Sequence, residues 1–199
     1  MQPGDPVLNL RPEGGQDSEF LARLYRSTRE DLLLLNLPEA MLQGLLDMQL
    51  RAQQAAYRSQ FPDARHQILE LAGEPIGGLL AHRGDEAIRL VYLALLPHAR
   101  NRGYGRRLIE ALQAEAADAD KPLTLSVFTL NTPAQRLYAS TGFRPAGNDG
   151  INVEMIWEGK SISPNANRRN GSHFDRQRAG DTMPPGGAKT DTGGGIGHE

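Results

Sequence analysis

Arg100-Asn101-Arg102-Gly103-Tyr104-Gly105 is the stretch of this chain whose residue types bear most directly on chemistry. Arg100, Arg102, Arg106 and Arg107 fall within eight residues, although the whole chain is nearly neutral at −2. An apolar run at 90–96 precedes this basic turn and reads as a buried strand that Pro97 ends. Leu108, Ile109, Leu112 and Ala116 follow at helical spacing. A strand that passes through a basic turn into a helix leaves backbone N–H groups free at the helix start. Those groups and the helix dipole favour a polyanion. Gly103 and Gly105 carry no Cβ, so a phosphate can lie against the backbone. The chemistry this implies is pyrophosphate binding. The bland alternative is a solvated basic turn that caps a helix.

Two common nucleotide loops do not fit. There is no Gly-x-x-x-x-Gly-Lys-Ser/Thr, and the dinucleotide pattern Gly-x-Gly-x-x-Gly fails because Leu108 occupies its last position. Arg/Gln-x-x-Gly-x-Gly/Ala does fit, with Arg100, Gly103 and Gly105 as its fixed positions. A second block lies downstream: Asn131-Thr132-Pro133-Ala134-Gln135-Arg136-Leu137-Tyr138-Ala139-Ser140-Thr141-Gly142-Phe143. Together the two blocks resemble the coenzyme A loop and the Asn-x-x-Ala-x-x-x-Tyr-x-x-x-Gly-Phe segment of the GNAT N-acetyltransferases. Their order matches, and the interval holds one helix and one strand. The resemblance covers roughly 18–157.

The resemblance implies an acetyl-CoA-dependent acyltransferase. The acetyl group would pass directly to a primary amine of a small molecule or a protein, with no acyl-enzyme. Backbone N–H groups of Asn101, Arg102, Gly103, Tyr104, Gly105 and Arg106 would hold the pyrophosphate, with Arg100 heading the loop. The pantetheine arm would lie along the strand at Leu93 and Leu95, and Asn131 would hydrogen-bond it. Tyr138 would donate a proton to the leaving thiolate, against the plainer reading of a tyrosine packed beside Leu137 and Phe143. The acceptor amine must also lose a proton, which for a lysine-like amine costs about 4.6 kcal/mol at pH 7. In several relatives a Glu on the strand before the loop takes it. Here that position is Arg89, which cannot, and this favours a second reading, a module that binds acyl-CoA without turnover. Glu86, Glu154, His82 and His98 are the other titratable groups considered, and none is assigned as the base. The Tyr92 phenol either faces the acceptor pocket or fills the sheet.

Positioning these residues takes a mixed fold. A strand at 7–11 leads to a helix carrying Phe20, Leu21, Leu24 and Tyr25, with Asp17 or Ser18 as its cap. Met41, Leu42, Leu45, Leu46 and Met48 mark a second helix from Pro38 to about Ser59, its methionines read as core. Strands are expected at 66–71, 75–81 and 86–95, with a hairpin turn at Gly73-Glu74. A helix at 103–118, a strand at 123–128, a helix at 132–141 and a last strand at 151–157 complete the order. The expected class is α/β, an α+β sandwich: a mixed, mostly antiparallel twisted sheet flanked by about four helices.

Residues 1–157 can hold one core and are expected to form the acetyltransferase domain. From Glu158 the composition turns to Ser, Asn, Arg, Gly and Pro, and residues 158–199 are expected to be disordered. The absence of cysteine excludes disulfides, thiolate metal sites and a cysteine nucleophile. No metal, nucleic acid or membrane partner is expected. Residues 1–10 lack a basic start and a long apolar run, so no secretory signal is expected, and the expected location is cytoplasmic. A homodimer stays open.

Overall fold

Strands rich in Leu, Ile and Val alternate with amphipathic helices along the chain, and the strands join in one seven-stranded open sheet. The computed structural model describes residues 7–159, so the expectation of a disordered tail lies, from residue 160 onward, outside the described residues. The strands are β1 (Leu8–Pro12), β2 (Arg65–Leu71), β3 (Glu74–Arg83), β4 (Ile88–Leu95), β5 (Leu123–Phe128), β6 (Arg144–Asn148) and β7 (Asn152–Trp157). Their spatial order is β1-β2-β3-β4-β5-β7-β6. Only the β4–β5 pair is parallel, because the helix between them carries the chain back to the same end of the sheet.

The helices are α1 (Ser18–Arg26), α2 (Glu30–Leu33), α3 (Glu39–Gln60), α4 (Tyr104–Asp118) and α5 (Thr132–Ser140). Ile109, Leu112 and Ala116 of α4 pack on Leu79, Ile88, Leu90, Leu123 and Leu125, and Leu137 and Tyr138 of α5 join the same cluster. On the other face Phe20, Leu21 and Leu24 of α1 pack on Ile68 and Ala94. The sheet is thus sandwiched, and its two faces carry different helices.

The structure departs from the sequence reading in several places. Asp17 does not cap α1: its buried carboxylate accepts two bonds from Arg11, both 2.7 Å, and one from the Gly14 N–H at 2.8 Å. The first hairpin turns at Ala72-Gly73, one residue earlier than expected, with φ of +52° and +87°. Both central residues are left-handed, which suits the twist of the flanking strands. β4 starts at Ile88, after the expected Glu86. β6 and the single turn α2 were not expected. β6 is exposed along its whole length and holds Pro145 and Gly147, so it has no apolar alternation to reveal it.

Candidate active site

A break in strand pairing at the centre of the sheet organises the site. β4 and β5 are paired only at Ile88–Leu123, Arg89–Thr124 and Leu90–Leu125. Beyond Leu90 and Leu125 the two strands separate into a wedge. On its other side β4 stays paired with β3 through Leu95, with Val91 as an extra, bulged residue. The bulge reverses the alternation. Ile88, Leu90 and Leu93 all border the α4 cluster, whereas Tyr92 and Ala94 turn to the α1 face. The Leu96 N–H donates to the Ile76 carbonyl at 2.9 Å. Antiparallel bonding alternates along a strand, so the peptide groups of Leu93 and Leu95 point away from β3 and into the wedge. The Leu95 carbonyl there accepts from Arg100 Nε at 2.9 Å, while the others bond no partner among the described residues.

The basic turn follows the wedge. Ala99 and Arg100 donate their N–H groups to Leu96 and Pro97, and Arg107 donates to Gly103. Between them the N–H groups of residues 101–106 bond no protein acceptor among the described residues. Six consecutive free amides leading into a fifteen-residue helix make this turn a candidate anion cradle. Asn101 and Gly103 hold φ of +58° and +82°, which folds the turn back on itself.

The side chains of the turn do different work from its backbone. Arg100 does not reach outward. Its guanidinium donates to the Ser27 carbonyl at 2.7 Å as well as to Leu95, and so ties the turn to the end of α1. Tyr104 is buried among Leu69, Ile76, Ala99 and Leu108. Arg106 donates to Ser140 Oγ at 2.7 Å and so reaches α5. Asn101 and Arg102 are exposed. The two glycines also differ. A Cβ on Gly103 would meet nothing within 4 Å, so the backbone there is open. A Cβ on Gly105 would point inward, 3.4 Å from Leu137 Cδ2 and 3.9 Å from Leu95 Cδ1. A Cβ on Gly105 would thus sit in ordinary contact between α4 and α5, directed inward and not out of the turn.

α5 carries the second motif. Asn131 Oδ1 accepts the Ala134 N–H at 3.2 Å and caps the helix, which leaves its amide NH2 free to donate. Gly142, at φ +90°, ends it with two bonds of 3.1 Å, from Phe143 N–H to the Tyr138 carbonyl and from Gly142 N–H to Ala139. The ring of Tyr138 packs on Phe143 with centroids 5.7 Å apart. Tyr138 is therefore held at both backbone and ring. Its hydroxyl has no hydrogen-bond partner in the described protein, and burial pushes its pKa up to about 12. It keeps its proton at neutral pH.

Of the titratable groups considered as bases, Glu154 is taken: both of its oxygens accept from Arg89 at 3.1 Å. His82 packs against Phe61, centroids 5.2 Å apart. Glu86 and His98 are exposed. Tyr92 lies against Tyr57 of α3 and His66 of β2, at 6.2 and 5.5 Å. Burial raises its pKa, and the neighbouring Tyr57 and Tyr25 raise it further. Tyr57 and Phe61 escaped the sequence reading. Their four-residue spacing at the end of a helix was the available signal.

The acetyltransferase (GNAT) family pattern matches residues 32–143. The chain belongs to this family of acyltransferases. A PaiA N-acetyltransferase from Thermoplasma acidophilum, solved in complex with coenzyme A, superposes with a TM-score of 0.58 at 17% identity, over 76% of this chain and 99% of the other. An acetyltransferase from Thermus thermophilus superposes with a TM-score of 0.56 at 24% identity, over 75% of this chain and 95% of the other. These similarities establish the fold. Among the described residues no helix is long and apolar enough to cross a membrane, and no cluster of His, Asp and Glu could hold a metal.

Proposed function

We propose that this protein is an N-acetyltransferase that moves the acetyl group of acetyl-CoA to a primary amine by direct attack. The run of six free amides at 101–106, set directly after the wedge, carries the reading. The Thermoplasma protein's complex with coenzyme A supports the choice of ligand. Acetyl-CoA would supply the activated thioester.

The cradle amides would hold the pyrophosphate, with Arg102 adding exposed positive charge. The peptide groups of Leu93, with the Leu95 N–H, would bind an extended arm as a strand binds its neighbour, and the Asn131 amide would donate to it. Tyr138 would protonate the leaving thiolate: it is fixed, protonated and free of other partners. No side chain is assigned as base, since Glu154 is held by Arg89 and water can take the amine's proton to solvent.

Calorimetry with acetyl-CoA, followed by thiol release and mass spectrometry of an amine mixture, tests this reading. Micromolar binding and a product heavier by one acetyl group are expected. Binding with no acetylated product would favour the non-catalytic acyl-CoA-binding module.

A further inference from the structure

The face of β4 opposite α4 carries groups with no part in holding coenzyme A. Tyr92 projects there, one residue before Leu93. Tyr57 of α3 and Phe61, the residue that follows the helix, lie four residues apart and meet Tyr92 and His82 at centroid distances of 6.2 and 5.2 Å. From Asp47 to its end, α3 has no fully buried residue. Its second half meets β4 through Tyr57, packed on Tyr92. The hydroxyls of Tyr57 and Tyr92 have no hydrogen-bond partner among the described residues, although both phenols are desolvated enough to raise their pKa values. Rings backed by a rigid sheet, with two phenols left over, are suited to a flat ligand.

Charge narrows the ligand further. Aromatic faces also attract ammonium groups, so a polyamine or a lysine side chain would compete. Polycations need carboxylates free to meet their other charges. On this side of β5 and β7 the carboxylate of Glu154 is already held by Arg89. That neutral pair offers no free carboxylate to a second cation.

We propose that the acceptor is an aromatic amine, a primary amine on a short arm from a flat ring, and that Tyr57, Phe61 and Tyr92 select it. This rests on the acetyltransferase reading. Selection here is by ring contact, so removing a ring should weaken acceptor binding more than the chemical step.

The test compares 2-phenylethylamine, spermidine and a capped lysine peptide as acceptors by thiol release at saturating acetyl-CoA. The wild-type protein should give a kcat/KM for 2-phenylethylamine at least tenfold above the other two. Tyr57→Ala and Phe61→Ala should each raise its KM about tenfold with kcat little changed, while Tyr57→Phe keeps the wild-type KM. Acetyl-CoA affinity, measured on every variant, reports whether it is folded. If the alanine variants do not fold, Tyr57→Leu and Phe61→Leu keep apolar bulk without the ring and should show the same rise in KM. Equal or better use of spermidine or the peptide, or an unchanged KM in the ring-less variants, would overturn the proposal and leave the acetyltransferase reading standing. Binding of acetyl-CoA without transfer to any of the three amines would overturn both.

Discussion

Arg89 on β4 reaches across β5 to Glu154 on β7, and its two terminal nitrogens lie 3.1 Å from the two carboxylate oxygens. The residue at the position where the family resemblance would put a base is thus half of an ion pair with Glu154. If neither removes the amine's proton, Glu154→Gln should keep turnover within about threefold. A hundredfold fall, of the size a lost general base gives, would make Glu154 the base. Both partners are partly exposed, so breaking the pair should cost about 1 kcal/mol or less, read as a small shift in a thermal melt.

The two glycines of the basic turn should respond differently to substitution. Gly103→Ala puts a β-carbon on a residue at φ +82°, and the left-handed conformation costs about 1–2 kcal/mol. Gly105→Ala places its methyl in ordinary contact with Leu137 and should be tolerated. Gly105→Glu instead drives a charged chain toward Leu137 and Leu95 and should damage the fold itself. Melts of the three variants check this order; a stable Gly105→Glu protein that has merely lost coenzyme A would contradict the inward direction of a side chain at 105.

Arg100 and Arg102 should also separate. Arg100→Ala leaves the Leu95 and Ser27 carbonyls without their partner, a loss of about 1.5–3 kcal/mol for bonds to a charged donor. Arg102→Ala should leave the melt unchanged and lower coenzyme A affinity severalfold at low salt, less at high salt. Calorimetry at two salt concentrations, with a melt of each variant, distinguishes them.

Asp17 predicts the acid limb of stability. Its hydrogen bonds from Arg11 hold its pKa down at about 2, against 3.8 for the free side chain. A carboxyl group depressed by folding stabilises the protein above its unfolded pKa, and the contribution is lost as pH falls from about 4 through 2. Asp17→Asn should therefore lower the melting temperature at pH 7 and flatten its dependence on pH between 4 and 2. An unchanged slope would show that Asp17 does not govern this limb.

How far the site could be read from the chain follows from what each residue does. The turn at 100–105 and the block at 131–143 were legible because backbone geometry demands particular residues there: a glycine at φ +82°, an asparagine cap and a glycine at φ +90°. The sheet's mixed, mostly antiparallel character was legible in the order of its strands and helices together with the family resemblance. The bulge at Val91 was not, since it depends on the register with β3, and it is the bulge that puts Tyr92 on the face opposite Leu90. The contacts of the Arg100 side chain were not legible, because nothing local reveals a partner as distant in sequence as Ser27. The same distance hid the Arg89–Glu154 pair.

The measurement closest to the centre of this account is single-turnover acetyl transfer by Tyr138→Phe, set beside a thermal melt of the same preparation. Tyr138 is held by the glycine cap of α5, its hydroxyl is unpartnered, and its pKa of about 12 keeps it a proton donor well past neutral pH. The wild-type rate should therefore show no alkaline fall centred near pH 10, where an ordinary phenol would ionise. The Phe variant should bind acetyl-CoA and melt as wild type does, while its transfer step slows by about 10²–10⁴-fold, the range of general acid catalysis. A Phe variant that transfers acetyl at the wild-type rate would contradict the assignment of the proton to Tyr138.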